Sequence, residues 1–75
     1  MLYFKSSGRA EIYLEQDEIE AIRLVDYCDM HHDEAAEKMG ISRPTVSRLI
    51  KSARNKISKF LIEGGVLIIR KEING

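Results

Sequence analysis

The chain has one cysteine, Cys28, so it can form no internal disulfide and nothing in it asks for an oxidising compartment. It also lacks any apolar run near the roughly 18 residues of a membrane span. The start, Met1-Leu2-Tyr3-Phe4-Lys5, has no long apolar core ahead of a cleavage site. These absences predict a cytoplasmic location. There is no Gly-rich phosphate loop and no nucleophile beside an identifiable base. The 75 residues are too few to enclose a substrate pocket of roughly several hundred Å³. An enzyme is therefore not expected, and neither a cofactor nor a metal ion is implied. Internal repeats and low-complexity segments are absent as well.

What is present is charge, and its arrangement matters more than its sum. The net charge is +0, yet ten acids lie between Glu11 and Glu37 with Arg23 as the one base among them. Between Lys38 and Leu61 the sign reverses: Lys38, Arg43, Arg48, Lys51, Arg54, Lys56 and Lys59 meet no acid. A small domain so divided is electrically two-faced, with one element able to face phosphates. With 44% apolar residues the chain has the composition of a folded domain, one small enough to bury only about 60% of its unfolded surface.

Local patterns place the elements. Glu11-Ile12-Tyr13-Leu14 alternates and predicts a short strand, and Val66 to about Arg70 reads as another. The two are natural partners, within the chain or between two chains. Asp17 with Glu20 imitates a capping box, which predicts a first helix over about Glu18 to Cys28. Its stripe of Ile19, Ala21, Ile22, Leu24, Val25 and Cys28 predicts a buried thiol beside solvated loop histidines. Asp33 is the expected cap of a second helix, about Glu34 to Met39, stopped by Gly40. Ser42 caps a third, with Pro44 in its first turn, where a missing N–H costs nothing. Val46, Leu49, Ile50, Ala53, Ile57, Phe60 and Leu61 carry this helix over about 43–62, until Gly64-Gly65.

The stretch His32 to Lys51 meets the requirements of a helix-turn-helix: Ala36 where two helices approach closely, Gly40 at the turn, and Ala35, Met39, Ile41, Val46 and Leu49 at the packing positions. The expectation is a mainly α fold over residues 1–75, a three-helix helix-turn-helix domain with short N- and C-terminal strands. At 100° per residue, Pro44, Arg48, Lys51, Asn55 and Lys59 oppose the apolar stripe, with Ser47 and Ser52 beside them. The N-terminal residues of such a helix reach base edges in the major groove. Arg43, Ser47, Arg48 and Lys51 are the expected base readers, Arg48 foremost because arginine bonds guanine through two parallel hydrogen bonds. Ser42, Thr45, Arg54 and Lys59 are expected on phosphates, and Lys56 on phosphate or solvent.

The residues Tyr3-Phe4-Lys5, Gly8, Leu14, Asp17-Glu18, Glu20-Ala21, Arg23-Leu24 and Asp26 carry a resemblance. So do Glu34-Ala35-Ala36, Met39-Gly40-Ile41-Ser42-Arg43, Thr45, Arg48, Ala53-Arg54, Lys56, Leu61-Ile62 and Gly64. The chain resembles a small uncharacterised prokaryotic family of predicted DNA-binding proteins whose helix-turn-helix is similar to region 4 of sigma factors. That resemblance implies a sigma-like transcriptional regulator or DNA-binding accessory. Two positions depart from the family pattern: no arginine-rich segment precedes Tyr3, and Val46 stands where an aromatic residue is usual.

The function expected is sequence-specific binding of double-stranded DNA in transcription regulation, by a homodimer, with RNA polymerase as a further partner. Two other classes compete. One is a protein-interaction module docking on the transcription machinery, suggested by an apolar stripe too long for one small domain to cover. The other is a metal or redox sensor, suggested by Cys28, Asp29, His31, His32 and Asp33, although their spacing matches no established ligand pattern.

Overall fold

The computed structural model describes residues 2–5 and 8–70, with Leu2 and Tyr3 in backbone only. The fold is mainly helical with a small sheet. Strand β1 (Leu2–Lys5) and strand β2 (Glu11–Leu14) precede helix α1 (Gln16–Ile22), which runs on as a π-helical turn, Arg23–Tyr27. Helix α2 (His32–Met39), helix α3 (Arg43–Glu63) and strand β3 (Val66–Ile69) follow.

Two apolar clusters hold these elements together, and α3 runs through both. In the first, Ala21 and Leu24 from α1 and its π turn meet Ala35 and Ala36 of α2 and Val46 and Ile50 of α3. In the second, Ile12 and Leu14 of β2 and Leu67 of β3 close on Ala53, with Ile57 and Phe60 alongside. One half of α3 is thus covered by helices and the next by sheet, which is how so short a chain supports a 21-residue helix, roughly 30 Å long. Its last turn outruns both covers: Leu61 is 72% exposed and Ile62 85%.

The sheet has the order β1-β3-β2. Strand β3 pairs parallel with β2, Ile12 opposite Leu67 and Leu14 opposite Ile69, so both strands turn their aliphatic residues to the same side. The expected partnership of 11–14 with 66–69 therefore forms within the chain. Strand β1 was not anticipated; it pairs antiparallel on the other edge of β3, Phe4 opposite Leu67. The β3 connection depends on Gly65, at φ +115°, where an added Cβ would lie 2.5 Å from the Ala10 carbonyl oxygen.

The caps differ from the expected ones. Helix α1 starts at Gln16, two residues earlier than the Asp17 reading allows. Its capping carboxylate is Glu18, which accepts the Glu15 backbone N–H at 2.8 Å. In α2 the Glu34 carboxylate accepts the His31 N–H at 3.1 Å, so His31 rather than Asp33 is the cap residue. His32 is helical and half-buried, not a loop residue. The expectation for Cys28 is overturned: the thiol is exposed. The physical cause is the π turn, closed by the Cys28 N–H donating to the Arg23 carbonyl at 2.9 Å. A wider turn takes an extra residue, so positions beyond it leave the 3.6-residue phase and Tyr27 and Cys28 swing outward.

Candidate nucleic-acid interface

The turn between α2 and α3 is built from three residues. Gly40 ends α2 at φ 70°, ψ 32°, a left-handed conformation that glycine adopts without Cβ strain. The Ile41 N–H donates to the Ala36 carbonyl at 3.0 Å, and Ser42 Oγ accepts the Thr45 N–H at 3.3 Å to start α3, with Pro44 in its first turn. Ala35 and Val46 are fully buried and Ala36 nearly so, which brings α2 close against α3. The arrangement is that of a helix-turn-helix.

The cations of α3 divide into two groups. Arg43, Arg48, Lys51 and Lys59 are exposed, and no carboxylate among the described residues forms an ion pair with them. Arg48, Lys51, Asn55 and Lys59 fall within about 80° of helix arc, facing away from Val46 and Ala53. Arg54 and Lys56 are instead held by the protein's own acids. Arg54 donates to both oxygens of Asp26, at 3.1 and 2.5 Å, which ties α3 to the π turn. Lys56 donates to Glu18 Oε1 and to the Tyr13 carbonyl, each at 2.7 Å. The hydroxyls expected on DNA are also engaged: Ser42 Oγ and Thr45 Oγ1 are hydrogen-bonded to each other at 2.7 Å, and Ser47 Oγ lies 2.8 Å from His32 Nδ1. Arg54 and Lys56, expected at phosphate or solvent, are thus paired with carboxylates of the same chain.

Electrostatics follow these contacts. The Arg54 hydrogen bond holds the Asp26 carboxyl below its usual value against a smaller opposing effect of burial, and the same pair raises Arg54. For Glu18, burial pushes the carboxyl up most strongly as a single effect. The Glu15 N–H, Lys56 and Ser52 together outweigh it and bring it down.

Residues 3–73 match the family described as protein of unknown function DUF134. The chain belongs to this family. It is similar to the UPF0251 protein of Chloroherpeton thalassium, 54% identical over 71 residues that cover 88% of this chain and 47% of that protein. A UPF0251 protein of Vibrio vulnificus is 52% identical over 58 residues, covering 77% of this chain and 58% of its own. One from the archaeon Archaeoglobus fulgidus is 45% identical over 65 residues, covering 87% and 62%. The chain spans about half the length of the curated relatives it matches. No solved structure matches it.

Two features of this DUF134 chain were missed by sequence reasoning. Glu18 is only 4% exposed, and its Oε2 accepts the Ser52 hydroxyl at 2.5 Å, so this acid is a buried junction. The second is the His32–Ser47 bond. Neither has a sequence signal, because each joins residues far apart in the chain. As for the sensor alternative, no group of three or more His, Cys, Asp or Glu is placed to hold a metal ion among the described residues. Among them, too, no helix is long and apolar enough to cross a membrane.

Proposed function

We propose that the chain binds double-stranded DNA sequence-specifically, as a regulator of transcription, with the N-terminal half of α3 in the major groove. The observation that carries this reading is the sorting of the α3 cations. Those on the outward face of the helix have no acid paired with them among the described residues, whereas Arg54 and Lys56 are paired with carboxylates. An outward face of unpaired cations on the second helix of a helix-turn-helix suits a polyanion. From Arg43 to Lys51 the helix advances about 12 Å, comparable to the width of the major groove. Arg43, Ser47, Arg48 and Lys51 are the base-reading candidates. Lys59, about 12 Å further along, acts through its field and not through a base.

The test is fluorescence anisotropy of labelled random-sequence duplex titrated at several salt concentrations, with an Arg43/Arg48/Lys51 triple alanine variant alongside. Binding that weakens steeply with salt and disappears in the folded variant supports the reading. No binding by the parent even at about 50 mM salt sinks it.

Self-association is a second reading, favoured by the exposed last turn of α3. Leu61 and Ile62 present adjacent aliphatic side chains to water. A second copy of the chain, related by a two-fold axis, would cover them; two copies bound together call for half-sites about one DNA turn apart, roughly 34 Å.

A further inference from the structure

We propose that His32 sets the hydrogen-bonding polarity of Ser47 and thereby determines which bases that serine reads, an inference that rests on the DNA-binding reading above. His32 opens α2 and Ser47 lies in the second turn of α3. Their contact, Nδ1 to Oγ at 2.8 Å and partly buried, bridges the two helices of the helix-turn-helix. Ser47 precedes Arg48 in sequence and stands one helical turn from both Arg43 and Lys51, at the border of the basic face.

A serine hydroxyl has one proton to donate and two lone pairs with which to accept. A neutral imidazole has one N–H and one bare nitrogen, and the surroundings of the two nitrogens decide which is which. Among the described residues Nε2 of His32 has no hydrogen-bond partner. The proposed state is the neutral ring with its proton on this unpartnered Nε2, where a phosphate oxygen of bound DNA can accept it. Nδ1 is then the acceptor, and the single proton of Ser47 goes to it.

Asp26, the carboxylate within electrostatic reach of His32, is paired with Arg54 through both oxygens and makes no hydrogen bond to the ring among the described residues. Ser47 therefore offers lone pairs alone. In the major groove these meet the exocyclic amino groups of cytosine and adenine, and are repelled by the acceptor edges of guanine and by O4 of thymine. Without the imidazole the hydroxyl rotates freely, donates or accepts, and discriminates little.

The experiment is selection from a randomised duplex library, sequenced for the parent, His32→Phe, Ser47→Ala and Arg48→Ala, each first shown to melt above the assay temperature. The parent motif is expected to contain one position at which cytosine and adenine are preferred over guanine and thymine by about fivefold, the scale of one hydrogen bond. His32→Phe and Ser47→Ala flatten that position to under about twofold and leave the other positions intact. An unchanged position in His32→Phe, or equal flattening of every position, overturns the proposal. If the parent enriches no sequence and binds no duplex, the DNA-binding reading falls with it. If the motif responds to Arg48→Ala but not to His32→Phe, only the present inference falls. Should His32→Phe fail to fold, the imidazole ¹⁵N shifts of the parent on DNA decide the matter. A bare Nδ1 supports the proposal and a protonated Nδ1 overturns it.

Discussion

Lys56 and Glu18 stand 38 residues apart in the chain, and the ammonium of one meets the carboxylate of the other at 2.7 Å. The same carboxylate closes the start of α1 through the Glu15 N–H and takes the Ser52 hydroxyl, while Lys56 also donates to the Tyr13 carbonyl. The Glu18–Lys56 pair therefore joins α1, α3 and β2. Because its partners are all satisfied, burial of the charge is sustained; removal of the acid leaves the half-buried ammonium with the Tyr13 carbonyl alone and the Ser52 hydroxyl without its acceptor. Glu18→Ala is expected to cost about 2–3 kcal/mol, and Glu18→Gln less, by chemical denaturation. Equal stability of all three proteins would show that the junction is incidental.

The acid limb of stability follows from the same contacts. Glu18 and Asp26 both titrate below their ordinary values of 4.5 and 3.8 when folded. A carboxyl held down in the native state contributes stability that is complete above its unfolded value and is lost as pH falls through the folded one. The melting temperature is thus expected to stay level from neutrality to about pH 5 and to decline below that. Glu18→Gln should flatten part of the decline, whereas an identical acid profile would contradict the assignment.

Gly65 and Gly40 are predicted to respond differently to alanine. At Gly65 a Cβ meets the Ala10 carbonyl oxygen at 2.5 Å, on backbone at φ +115°. At Gly40 nothing lies within 4 Å and only the left-handed φ of +70° resists. Gly40→Ala should cost about 1 kcal/mol and Gly65→Ala distinctly more, about 2 kcal/mol or above. Thermal melts of the two variants give the comparison, and a reversed order would refute it.

On DNA, Arg48→Ala should cost about 1–3 kcal/mol at a selected site and relax discrimination there, while Lys59→Ala should weaken binding mildly and equally on every sequence. Anisotropy against selected and random duplexes separates the two. Equal losses on all DNA for both variants would mean that the reading face is assigned wrongly.

Leu61 and Ile62, exposed in the single chain, make a prediction about assembly. If a second copy covers them, a Leu61→Ser/Ile62→Ser variant sediments as a monomer at concentrations where the parent is a dimer. A parent that sediments as a monomer throughout removes this surface as a self-contact.

The helix-turn-helix was legible because its requirements are local. Ala36, Gly40, Ser42 and Pro44 each answer a steric or hydrogen-bonding demand of their own few neighbours, and Val46, Ile50, Ala53 and Ile57 repeat at the period of one helix. Glycine at φ 70° and serine accepting the Thr45 N–H need no distant partner to be anticipated. The first helix was harder. The signature Asp17-x-x-Glu20 lies two residues beyond the cap that forms, since Glu18 is drawn toward Lys56 and Ser52 and caps Glu15 on the way.

By itself, then, the sequence determined the order of the three helices, the turn at Gly40, the stop at Gly64-Gly65 and the basic character of α3, all consequences of periodicity and of backbone stereochemistry within a few residues. Only the tertiary structure decided which cations remain without partners, that Cys28 faces water, and that β1 and β2 flank β3. Those outcomes depend on which distant carboxylate, carbonyl or strand edge the packed helices bring within about 3 Å, the reach of a hydrogen bond.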